Sequence, residues 1–232
     1  MINIRHAEER CSVNLGWLDS KHSFSFGQFV DPDYTNFGPL RVINEDRVQP
    51  GEGFPTHGHE NMEIISYVLE GALEHKDSIG TGAQIKPGEV QRMSAGTGIR
   101  HSEYNPLSDA GAHFLQIWII PDTQDIEPGY EQKMFDRADR QGVLKLVASK
   151  DARNGALKIH QDVDLYATIL SDGDEVSLPL RDGRRAWVQV ARGSVRLNGS
   201  QLYPGDGAAV TEEEALAITA TSDAELLIFD MV

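Results

Sequence analysis

Residues 67–96 read YVLEGALEHKDSIGTGAQIKPGEVQRMSAG, and residues 188–213 read VQVARGSVRLNGSQLYPGDGAAVTEE. Each segment runs strand, Gly turn, strand, Pro-Gly turn, strand. The stretch VLEG lines up with VARG, and IKPGEV with LYPGDG. Glycine permits the tight reversals, and the β-branched and apolar residues between them suit a half-buried pleated surface. A plan written twice in one chain predicts two copies of one β-barrel unit.

The rest of the sequence extends that pattern. Turn signals recur at QPGEGFP (49–55) and SAGTG (94–98), and short apolar runs such as EIISYVLEG, FLQIWIIP and LLIFDMV lie between them. Many short strands with frequent turns predict an all-β sandwich or barrel. A βαβ plan needs intervening helical segments that are missing; the best helical candidate is 131–141, EQKMFDRADRQ. The loop-rich stretch 121–145 places a boundary between the copies, giving domains 1–130 and 131–232.

The chain has 232 residues, enough for one large or two small domains, and a formal net charge of −15. A nucleic-acid binder would carry a basic stripe, so direct DNA binding is disfavoured. No apolar stretch is long enough to span a membrane, and MINIRHAEERC lacks the apolar core of a secretory signal. Cys11 is the only cysteine and is expected to pack as a small buried hydrophobe. These features point to a reducing cytoplasm.

The copies differ where chemistry would sit. Residues 54–63 read FPTHGHENME and residues 99–105 read IRHSEYN. Strand side chains alternate faces, so His57 shares a face with His59, and His101 with Glu103. If the two strands adjoin, three imidazoles and a carboxylate converge. Imidazole suits Zn, Cu, Fe and Ni, and a carboxylate adds a hard anionic ligand. Four such ligands on an octahedral ion leave two positions for substrate or dioxygen. A His-x-His pair alone is more often a solvated loop; the joint order, spacing and alternation favour the metal. Rival motifs fail, since there is no H-E-x-x-H and no Asp-His continuing HGHEN. The matching region of the second copy, LPLRDGRRAWVQV, has no histidine.

These residues resemble the two signatures of the cupin superfamily. Gly51, His57, His59, Glu63 and Gly71 fill the first, with one extra residue before the last glycine. Gly98, His101 and Asn105 fit the later part of the second, while Gly96 and Val90 stand where a proline and a glycine are usual. The chain is closer still to the pirins, which are two-domain cupins, through GWLDSKHSFSFGQFVDP (16–32), residues 40–78, QRMSAGTGIRHSEYNP (91–106) and LQIWIIPD (115–122). The resemblance implies a bicupin of two jelly-roll barrels. It implies one divalent ion held by His57, His59, His101 and Glu103 in the first cupin, with Glu63 outside the ligand set, and a second cupin without metal. Fe(II) is the expected ion, with Zn, Ni, Mn, Co or Cu as competitors.

The activity implied is that of a quercetin 2,3-dioxygenase, opening a flavonol with dioxygen and releasing carbon monoxide, with Glu103 as general base. The alternative is a non-catalytic, redox-sensing protein that regulates a transcription factor or metabolic enzyme. A metal-free, ligand-binding cupin is a third reading. Among other residues, His75 and His113 are expected to pack or lie at the surface, and Trp17, Trp118 and Trp187 to fill core. HSFSFGQF (22–29) reads as a half-buried strand, RDGRR (181–185) as a solvated loop, and Tyr130 and Glu131 as candidates for a cleft between domains.

Overall fold

The computed structural model describes residues 1–232. The chain divides into two compact units: Cys11–Met134 with Leu157–Gln161, and Met1–Arg10 with Phe135–Ala156 and Asp162–Val232. Neither unit is a single continuous stretch of chain. Strand Ile2–Arg5 pairs with Gly207–Val210, which draws the first residues into the C-terminal unit. His160 meets Glu63 and its carbonyl accepts from the Asp122 amide, which draws 157–161 into the N-terminal one.

The N-terminal unit is a jelly roll of a seven-stranded and a four-stranded sheet. The larger runs Gly129–Met134, Glu89–Ser94, Glu63–Glu70, Ala112–Ile119, Leu40–Val48, Leu18–His22, Cys11–Asn14. The smaller runs Gly53–His59, Ile99–Tyr104, Leu73–Asp77, Gly82–Ile85. Neighbouring strands are antiparallel throughout.

Register sets the interior in layers. Val68 and Phe114 lie opposite one another at one level, in an apolar cluster with Leu73 and Ile85. Two residues along, Asn44, Gln116, Ser66 and Gln91 lie opposite one another on successive strands. Two residues further, Trp118, Ile64 and Met93 form the next apolar level. A polar belt therefore crosses the sheet between two apolar layers. Such a belt costs stability unless its groups find partners.

The C-terminal unit repeats the plan. Its larger sheet runs Ile2–Arg5, Gly207–Val210, Arg185–Arg192, Ala224–Met231, Val163–Leu170, Lys145–Ser149. Its four-stranded sheet runs Glu175–Pro179, Ala215–Ala220, Val195–Leu197, Ser200–Leu202. The aligned turn glycines do the same job in both units. Gly71 and Gly193 have φ of 71° and 66°, and a Cβ on either would collide with the carbonyl oxygen of Gly111 or Asp223.

The expected helix over 131–141 is not formed. Gly129–Met134 is a strand paired with Glu89–Ser94, and only Arg137–Arg140 is helical. Tertiary pairing overrides the local preference there. No helix of the chain is long and apolar enough to cross a membrane. Residues 23–29 do not continue the strand Leu18–His22, apart from a bridge between Phe26 and Phe29. Arg184, in the stretch read as a solvated loop, is buried and pairs with Asp162 and Asp230. Cys11 is half-buried on an edge strand rather than in the core.

Candidate metal centre

Strands Gly53–His59 and Ile99–Tyr104 pair so that His57 lies opposite His101. The register then slips: Glu103 lies opposite Phe54, so the partner strand accommodates an extra residue around Pro55. A bulge of this kind bends a strand and re-aims its side chains. The Pro55 carbonyl accepts from His57 Nδ1 at 2.8 Å, which leaves Nε2 without a proton and free as a ligand.

The three imidazoles meet at their tips. His59 Nε2 lies 3.0 Å from His101 Nε2, and the ring centroids of His57 and His101 are 4.5 Å apart. One nitrogen from each of His57, His59 and His101 falls within a 4.8 Å group. Two imidazole nitrogens bound side by side at right angles, each about 2.1 Å from an ion, would themselves lie about 3.0 Å apart. The donor set and its spacing fit a divalent ion. Burial and the neighbouring imidazoles push His59 down to about 4 and His101 to about 3. Both rings are neutral at pH 7, the form that ligates.

Glu103 is buried and stands with His101 and His75 in a second group. Its Oε2 accepts from Gln116 Nε2 at 2.7 Å and its Oε1 lies 3.3 Å from Ser66 Oγ. Two members of the polar belt thus hold the carboxylate. Glu63 lies elsewhere: it accepts from Ser94 Oγ at 3.0 Å and from His160, which makes it a tie for residues 157–161.

His75 is neither simple packing nor surface. It is fully buried, its Nε2 lies 2.9 Å from Asp77 Oδ2, and its Nδ1 lies 3.4 Å from His101 Nδ1. If Nε2 donates to the carboxylate, Nδ1 must accept from His101, and His101 Nε2 is then unprotonated. Asp77 is fixed in turn by the amides of Ile79 and Thr81. Tyr130 packs against the His75 ring at 4.9 Å, inside the N-terminal unit. Glu131 pairs with Arg92 and Lys133. His113 bonds Glu45 at 2.9 Å. The signal for His75 and Asp77 lay in LEHKD, where the two alternate onto one strand face.

A cavity of about 360 Å³ opens on His57 and Glu103. Phe26, Phe29, Phe54, Leu18, Val13 and Trp118 give it an apolar wall. Phe26 and Phe29, read from sequence as part of a covering strand, line this space. Trp118 also meets His59 edge-on at 4.9 Å, whereas Trp187 is core as expected. The size is typical of a small-molecule site.

A two-unit jelly roll with a histidine cluster in its first unit defines a bicupin with a candidate metal centre. The chain belongs to the pirin family: the Pirin model matches residues 4–119, and the model for the quercetinase C-terminal cupin domain matches 146–231. The chain is 49% identical over 231 residues to the quercetin 2,3-dioxygenase of Escherichia coli (strain K12), covering 100% of this chain and 99% of that one. The crystal structure of YhhW from Escherichia coli superposes with a TM-score of 0.97 at 49% identity, covering 100% of this chain and 98% of that one. The crystal structure of bacterial pirin YhhW in complex with nickel(II), also from Escherichia coli, superposes at 0.95 with 49% identity, covering 100% and 99%.

Proposed function

We propose that this chain is a metal-dependent dioxygenase that opens flavonols such as quercetin at the 2,3 bond, with dioxygen as co-substrate and carbon monoxide as product. One observation carries the reading: the histidine cluster and Glu103 border an apolar, aromatic-walled cavity of about 360 Å³. The relative of that name, 49% identical over its whole length, supports the same chemistry.

The proposed ligands are His57, His59, His101 and Glu103, and Fe(II) is the proposed ion; Zn, Ni, Mn, Co and Cu suit the same donors. The bound ion would act as a Lewis acid for the ionised flavonol hydroxyl. The chain's own residues do the rest. Pro55 and His75 set the tautomers of His57 and His101. Gln116 and Ser66 orient Glu103. The aromatic wall admits a flat ring system and excludes water from it. Glu103 can serve as ligand or as general base. Gln116 and Ser66 fix the position of its carboxylate, which suits the ligand role. The proposed compartment is the cytoplasm.

The test adds quercetin in air to protein loaded separately with each divalent ion, following loss of the flavonol absorbance together with oxygen uptake. Turnover that tracks metal content is the expected result. Metal-replete protein that consumes neither reactant with any ion would remove the enzymatic reading and leave a regulatory protein.

A further inference from the structure

The cavity has a second polar side, away from the histidine strands. Strands Leu18–His22 and Leu40–Val48 pair Ser20 with Asp46 and His22 with Asn44, and all four line the cavity that also contacts His57 and Glu103. Asp46 is buried and makes one side-chain hydrogen bond, accepting at Oδ1 from the Ser20 hydroxyl. Ser20 Oγ lies 2.8 Å from His22 Nε2. With its proton given to Asp46, Ser20 accepts from His22, so the two side chains hold the carboxyl in one orientation. Asn44 is 4% exposed, and its side-chain oxygen is buried with no hydrogen-bond partner. A buried acceptor left open on a cavity wall is unfavourable unless something donates to it. A hydroxyl of a bound ligand would.

On the reading of the site as a flavonol dioxygenase, one group must receive the proton of the substrate hydroxyl. Glu103 is poorly placed for it, since Gln116 Nε2 holds its Oε2, Ser66 Oγ stands at its Oε1, and its remaining lone pairs are those it would offer the ion. We propose that Asp46 is a catalytic residue, the general base for the substrate hydroxyl, and that Asn44 accepts a hydrogen bond from a hydroxyl of the same aromatic ligand. The substrate O–H bond breaks, its proton passes to the Asp46 carboxylate, and the electron pair stays on the substrate oxygen as an enolate. No oxidant is consumed in this step.

The surroundings of Asp46 suit the task. Burial pushes its carboxyl up to about 7, the Ser20 hydroxyl offsets part of that, and Glu103, Glu45 and Asp19 add to it. His22 faces it through Ser20. A base with a value near the working pH combines a useful ionised fraction with real proton affinity.

The experiment titrates metal-loaded, full-length protein with quercetin under anaerobic conditions, reading the red-shifted absorbance of the ionised flavonol, and then measures turnover against pH in air. In the wild type, quercetin ionises on binding at pH 7, and kcat rises with pH through a limb near 7. In Asp46→Asn, metal content is unchanged, quercetin binds un-ionised, the limb disappears and kcat falls about 10²–10⁴-fold. Ser20→Ala removes a bond that favours the carboxylate, so its limb moves to higher pH. This second variant decides the matter if Asp46→Asn does not fold. Asp46→Asn that ionises quercetin and keeps the limb, or Ser20→Ala with an unmoved limb, overturns the assignment of Asp46 alone. Wild-type protein that neither binds nor consumes quercetin overturns the flavonol reading as well.

Discussion

The two units use one plan with opposite interiors. In the N-terminal unit Asn44, Gln116, Ser66 and Gln91 form a continuous row across four strands. The corresponding row of the C-terminal unit is Tyr166, Ile228, Val188 and Ala208, paired in the same order. The histidine-bearing strands match as closely. His57 lies opposite His101, and Leu178 opposite Leu216. Glu103 lies opposite His75, and Ile218 opposite Leu197. Leu178, Leu216, Ile218 and Leu197 belong to, or pack against, one apolar cluster. The jelly roll therefore needs no metal to form. The N-terminal unit forgoes part of an apolar interior and fills it with the histidine cluster, Glu103 and the polar groups that hold them.

That contrast is broken most severely at His101. Replacing it with the residue of the matching position, His101→Leu, should abolish metal binding and quercetin turnover while leaving the metal-free melting temperature unchanged or raised. Metal analysis, oxygen uptake and calorimetry together check it. A variant that retains one ion per chain would remove His101 from the site.

The relay behind His101 is the next largest effect. His75→Leu copies Leu197 and removes the acceptor that sets the His101 tautomer, so metal affinity should fall about 10–100-fold. His75→Gln can still accept from His101 and donate to Asp77, and should restore most of it. Competition titrations with a chelating dye would measure both. Equal losses in the two variants would mean that His75 only fills space.

How much of this was legible in the sequence depends on the physics behind each signal. Strand alternation is local, so it paired His57 with His59 and His101 with Glu103, and the repeated Gly and Pro-Gly turns gave the two all-β units, which form as two-sheet jelly rolls rather than closed barrels. The same alternation paired His75 with Asp77 in LEHKD, but a histidine beside lysine and glutamate also suits an exposed strand. Only the register of Leu73–Asp77 against Ile99–Tyr104 brings it to His101. Asp46 and Asn44 were hidden for a similar reason. Their strand is buried on both faces, and no period separates an inward face from an outward one. At 129–134, pairing with Glu89–Ser94 decided between strand and helix, and that pairing is non-local.

The polar row itself can be tested in the unit that lacks it. Val188→Ser with Ile228→Gln would place the Ser66–Gln116 pair in the C-terminal unit, where no carboxylate lies opposite. The pair should destabilise the protein by about 2–4 kcal/mol, from lost apolar burial and unpaired polar atoms, with N-terminal metal content unchanged. Chemical denaturation gives the loss. A near-neutral result would mean that the row tolerates polarity wherever it occurs.

The smallest expected effect is on pH dependence, and its sign follows from the histidines. His59 and His101 titrate at about 4 and about 3 in the folded, metal-free protein, below the ordinary 6.5. Unfolding lets each take up a proton, so the unfolded state gains protons first as pH falls. Stability from these two groups is complete above about 6.5 and declines as pH drops toward 4 and below. His101→Leu removes one of the two sites and should flatten that decline, even though the protein has no metal to lose. In the C-terminal unit the positions matching His57 and His101 are Leu178 and Leu216, which do not titrate. Melting temperatures of the metal-free wild type and variant between pH 7 and pH 4 check this: parallel curves would mean that the imidazoles are as easily protonated in the folded cluster as in water.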